Sequence, residues 1–241
     1  MNFRFFVCFG ILTLAISNVH DAFASADSSE ITQNSTQSGI FKNSKVKVVP
    51  SLGLITHGYR ESNKSDFSQS AFQLGLKASY HFDDNWHLAS FFATTTAAQT
   101  REGEQTARFI KGVIQVEQES FGWSGPLDAT FGGGLYYSSM SRTSSGEGYG
   151  RIAAPEVSAQ FRRHVKGAHS VGLGSQFVSI FKNAADLSFP GYRASIELKY
   201  FFQIPNLNEI AFGLEGATQK FDRGETTYRE NDVALNLSYP L

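Results

Sequence analysis

Few groupings in this sequence could do chemistry. The six His are scattered, without a His-x-His pair, and Cys8 is the single cysteine, so neither a zinc ribbon nor a disulfide framework can be built. No metal site and no cofactor are expected. The best candidate is His57 with Asp232, an imidazole and a carboxylate that would start a general base if their segments were neighbours. Ser68 or Ser70 would then be the candidate nucleophile. No spacing motif ties these residues together, and the same pair would serve equally as an ion pair at a rim. Gly132-Gly133-Gly134 is not a phosphate loop, because no helical pattern follows it.

The segments that carry these residues alternate with period two, and no part of the chain beyond its N-terminus keeps a helical period. Val233, Leu235, Leu237, Tyr239 and Leu241 share one face of the last segment, while Asp232, Ala234, Asn236 and Ser238 share the other. Phe72, Leu74, Leu76, Ala78, Tyr80 and Phe82 likewise oppose Gln73, Gly75, Lys77, Ser79 and His81. Ten such strands are read, each about 10 to 15 residues long, against about 5 or 6 for an ordinary soluble strand. The faces of the third strand, near Trp86 to Gln99, are ambiguous, and Pro155 interrupts the sixth. Connections alternate between tight (Asp83-Asp84-Asn85, Lys166-Gly167) and longer polar ones (Arg60 to Ser68, Asp222 to Asn231).

The chain has 241 residues, 41% of them apolar and 18% charged, with a net charge of -1 and a mean hydropathy of -0.22. The charge balance gives no reason to expect nucleic acid as a partner. The low hydropathy follows if every second strand residue faces a polar interior. Residues 1–24 read as a secretory signal peptide. Arg4 precedes an apolar run from Phe5 to Ile16, and small-x-small sites allow cleavage after residue 24 or 26. That run is shorter than the roughly 20 residues a spanning helix needs. Residues 25–43 form a polar lead-in, and residues 44–241 form the strand domain.

Together, the signal peptide, the strand pattern and the C-terminal segment resemble the bacterial outer-membrane β-barrel proteins. The resemblance implies an all-β, up-and-down antiparallel transmembrane barrel of about ten strands, eight being the alternative, in the outer membrane of a Gram-negative cell. It also implies that Val233, Leu235, Leu237, Tyr239 and Leu241 form the assembly signal. The family usually ends in Phe or Trp, whereas this chain ends in Pro240-Leu241. Phe82, Trp86, Phe121, Trp123, Phe201, Phe202 and Tyr239 fall near strand ends, where an interfacial girdle would lie.

The inner face would carry Lys45, Lys47, Lys77, Lys111, Arg162, Arg193 and Lys199 against Glu117, Glu119, Asp128, Glu156, Glu197, Glu215 and Asp232. Opposite charges enclosed in a narrow barrel must pair. The expectation is a plugged interior and a structural or surface-interaction role. A narrow channel for small solutes or ions is the alternative, and a rim-located lipid hydrolase the second. Paired-acid and Asp-His motifs of the ten-stranded outer-membrane proteases are missing, so catalysis is not the leading expectation. The expected partners are outer-membrane lipid and the barrel-assembly machinery, with a solute or surface ligand left open.

Overall fold

A computed structural model describes residues 45–62, 66–96, 98–99, 106–120, 127–142, 150–180, 191–205, 208–223 and 225–240. The signal peptide, the lead-in, Phe121, Trp123 and Leu241 lie outside them. The strands are β1 (Val46–Glu61), β2 (Phe67–His81), β3 (Trp86–Thr95), β4 (Ala98–Gln99), β5 (Thr106–Ser120), β6 (Leu127–Arg142), β7 (Gly150–Lys166), β8 (His169–Ile180), β9 (Gly191–Gln203), β10 (Glu209–Arg223) and β11 (Thr226–Ser238). Each pairs antiparallel with its neighbours, and β11 returns to pair with β1. β3 and β4 both pair with β5 and form one pass, so the sheet closes as a ten-stranded up-and-down barrel. Between Thr94↔Ile110 and Ala98↔Ala107 this pass holds one more residue than its partner, as a β-bulge does.

Closure removes the edge strands and satisfies the backbone internally, the condition for crossing lipid. The outer surface is apolar along the register. Phe72, Leu54, Leu235, Leu214, Leu198 and Leu173 are successive partners around the wall, and all six are exposed. In water this belt would be an aggregation surface; facing acyl chains, it is the surface a barrel needs.

Two ambiguities of the sequence resolve physically. In β3 the inner face is His87, Ala89, Phe91, Ala93 and Thr95, and the outer face includes Trp86, Leu88 and Phe92. Both faces are largely apolar or small, which erases the alternation. Pro155 pairs with Leu135 of β6, and the ladder to β8 begins one residue later, at Glu156↔Val178. The missing donor thus falls where that ladder has ended.

Both described ends of the chain lie at the end of the barrel that carries the β2–β3 and β7–β8 turns. The turn after β7 places Gly167 at φ +58°, a left-handed conformation that glycine adopts without strain.

Candidate functional site

Odd-numbered residues of β1, β2, β3 and β5 and even-numbered residues of β6, β7, β8 and β11 point inward, and they fill the lumen in tiers. Toward the end farthest from the termini the lumen is largely apolar, although Glu61, Gln69 and Gln219 are also buried there. Tyr59, Phe109, Val113, Tyr136, Met140, Ile152, Val178, Ile180, Phe221 and Tyr228 form one buried cluster inside the barrel. The sequence reading expects a polar interior throughout; the upper third is instead a hydrophobic core. Its side chains sit at inward positions toward the far ends of the strands, where period-two reading assigns only polar residues to the lumen.

A buried ion network is interleaved with it, Lys111 standing between Phe109 and Val113 on the inner face of β5. His57 and Asp232 are direct partners across the β1–β11 seam. His57 Nδ1 is 2.6 Å from Asp232 Oδ1 and 3.8 Å from Glu230 Oε1. The imidazole stacks on Phe109, with ring centroids 3.8 Å apart. Lys111, on the far side of the lumen, bonds Asp232 and lies 3.4 Å from Glu230. Arg193 reaches Asp232 Oδ2 at 3.4 Å and Glu215 Oε1 at 3.2 Å. His57, Glu230 and Asp232 resemble a metal-ligand set, but the Lys111 ammonium and the Arg193 guanidinium already approach these carboxylates and would repel a metal ion. A cavity bounded by Ile55, His57, Gln73, Ala93, Phe109 and Lys111 holds about 10 Å³, the lower limit for a single water.

Ser68 is not part of this arrangement. Alternation puts Gln69 inside, opposite His57, and turns Ser68 to the exposed outer face. Ser70 also faces outward, bonded to Thr56 at 2.9 Å. Neither candidate serine therefore reaches the pair at the seam, whose ring is sealed from solvent.

In the middle tier Glu117 accepts from Lys77 Nζ at 3.1 and 3.2 Å and is also bonded by His87 Nε2 and Gln115. Gln115 in turn accepts from Ser158 at 3.1 Å. Glu156 bonds Gln176, and Lys199 pairs with Glu197 at 2.7 Å. Nearest the termini, Arg162 forms a two-pronged pair with Glu209 and stacks over Phe201, 4.4 Å from its centroid. Phe201 therefore faces the lumen and not the girdle, while Phe82 and Trp86 are exposed on the outside. Lys45, Lys47 and Glu119 stand at this mouth, the two lysines exposed and the glutamate half-buried.

Sequence spacing missed a second constellation here. His164 Nε2 is 3.0 Å from Asp128 Oδ2, and His164 Nδ1 is 3.0 Å from Ser170 Oγ. An imidazole between carboxylate and hydroxyl is the arrangement that activates serine nucleophiles. In this barrel Arg162 Nη2 donates to the same Oγ at 3.1 Å, and Ser170 is only 3% exposed. The hydroxyl is a member of the wall, not an attacking group. The signal lay in register: His164 and Ser170 pair directly across the tight turn at Gly167. The sequence pattern puts Glu61 and Glu230 in exposed loops and does not single out Glu209, yet β1 runs to Glu61, β11 starts at Thr226, and both Glu61 and Glu230 are buried on the inward face.

No protein-family model and no curated protein matches the chain. Among solved structures it is similar to the outer membrane protease OmpT from Escherichia coli, with 10% identity over 86% of this chain and 100% of that one, at a TM-score of 0.53. It is also similar to Neisserial surface protein A, at 10% identity over 80% and 96% of the two chains and a TM-score of 0.39. The outer membrane protein OprG from Pseudomonas aeruginosa gives 10% identity over 82% and 97%, and a TM-score of 0.38. At these identities the likeness is one of fold. The closed antiparallel barrel is that of small outer-membrane proteins, and it supports a location in the bacterial outer membrane.

Proposed function

We propose that this chain is a closed outer-membrane barrel with a structural or surface-interaction role, exported through a cleaved signal peptide. The observation that carries this reading is the bond from Lys111 on β5 to Asp232 on β11. These strands stand nearly opposite each other, so the ion network crosses the lumen instead of lining it, and the apolar cluster packs around it. An aqueous path would have to break both. Outer-membrane lipid surrounds the belt, and the barrel-assembly machinery reads the closing strand, whose Val233, Leu235 and Leu237 face outward.

Planar-bilayer recording of the refolded protein tests this reading. Silence is expected; discrete conductance steps from wild type would overturn it in favour of a narrow channel.

A further inference from the structure

We propose a zinc-class metal site at the mouth nearest the termini, formed by His81, His87 and Glu119. A tight turn brings the three together. Phe82 and Asp83 N–H both donate to the Trp86 carbonyl, at 3.2 and 3.3 Å, which closes the β2–β3 hairpin and makes His81 and His87 direct partners. Their ring centroids are 4.8 Å apart. Glu119 is fixed to the same turn, its N–H donating to the Asn85 carbonyl at 2.8 Å. One ligand atom from each residue lies within 4.8 Å of the others, and His87 Nδ1 is 3.7 Å from Glu119 Oε1.

The chemistry of His87 points to a cation. The residue is 3% exposed, and its Nδ1 is buried without a hydrogen-bond partner. Its Nε2 is bonded to Glu117. A carboxylate on one ring nitrogen fixes the tautomer that leaves a lone pair on the other, as in the carboxylate–histidine–zinc arrangement. Lys77 neutralises Glu117, so Glu117 orients the ring while Glu119 supplies the ligand oxygen. Two imidazoles and one carboxylate suit zinc or a neighbouring transition metal, not calcium or magnesium, which take oxygen ligands. His81 and Glu119 are half-buried, so the fourth position opens to solvent.

Isothermal titration of the tag-free refolded barrel with Zn²⁺ tests the site, with folding checked by heat-modifiable migration. One zinc per barrel is expected, lost in the His81→Ala/His87→Ala double variant and kept in His169→Ala, which removes an imidazole at the same end. Glu117→Gln, which keeps all three ligands, should weaken affinity by roughly 10- to 100-fold. No heat of binding at submillimolar zinc, or uptake unchanged in the folded double variant, would overturn the proposal.

Discussion

His57 and Asp232 stand 175 positions apart in the chain, yet they are register partners across the seam that closes the barrel, 2.6 Å apart. Sealing the cylinder and forming the ion network are therefore one event. Asp232 is the hub, since Lys111, Arg193 and His57 all converge on its carboxylate.

Asp232→Ala should thus leave two buried cations without their shared counter-charge. Removing one partner of a buried pair costs about 3–5 kcal/mol. The expected result is a much lower urea midpoint for loss of the fast-migrating folded band, with Asp232→Asn falling between the variant and wild type. A midpoint unchanged in Asp232→Ala would mean that the network contributes nothing to closure.

The same seam predicts a negative result for catalysis. His57→Ala should lower stability while leaving the membrane lipid profile of expressing cells as in wild type, because Ser68 faces away from the ring. A fluorophosphonate probe should likewise leave Ser170 unmodified in the folded barrel, since its oxygen is held by Arg162 and His164. Mass spectrometry of the labelled chain reads this directly, and a phosphonylated Ser170 would mean that the relay is open to substrate.

Two glycines should behave oppositely. A Cβ on Gly134 would lie 2.0 Å from the Ile114 carbonyl oxygen, which is backbone and cannot swing aside, whereas a Cβ on Gly216 would meet nothing within 4 Å. Gly134→Ala should refold in poor yield, and Gly216→Ala should match wild type on the same gel.

The lipid-facing belt can be probed by depth. Leu235 lies in the middle of the outward apolar run Val233, Leu235 and Leu237, partnered by Leu54 and Leu214. Asn231, toward the far end of that strand, also faces outward. Arginine costs roughly 2–4 kcal/mol at a bilayer midplane and about 0–1 near an interface. Leu235→Arg should consequently destabilise the barrel in lipid vesicles far more than Asn231→Arg. Equal effects would place the belt elsewhere.

The outer face was legible from sequence because lipid imposes one rule on every strand, and Phe72 to Tyr80 of β2, Tyr192 to Tyr200 of β9 and Val233 to Leu237 of β11 obey it. The interior was harder to read. Period two names the residues that point inward but not the strand they meet, and Lys111–Asp232 and Arg162–Glu209 are contacts across a space rather than along a ladder. Asp128, His164 and Ser170 illustrate the same limit: no linear motif joins them, and the β6–β7 register together with the turn at Gly167 sets their spacing. His81 and His87 were called scattered for an equivalent reason, because pairing across a hairpin depends on where the turn is centred. The apolar upper tier escaped because Phe109, Met140 and Ile180 sit near strand ends, where the polar connections blur the pattern.

That tiering has a directional consequence. Glu61, Tyr59, Phe221 and Ile180 are almost fully covered at the far end, whereas His164, Arg162, Lys199 and Glu119 retain a quarter or more of their surface near the termini. Among the described residues, the inner wall is thus covered at one end and wetted at the other. On the proposed reading of a closed lumen, whatever enters it, whether water, proton or ion, comes and leaves by the end that holds Lys45 and Pro240.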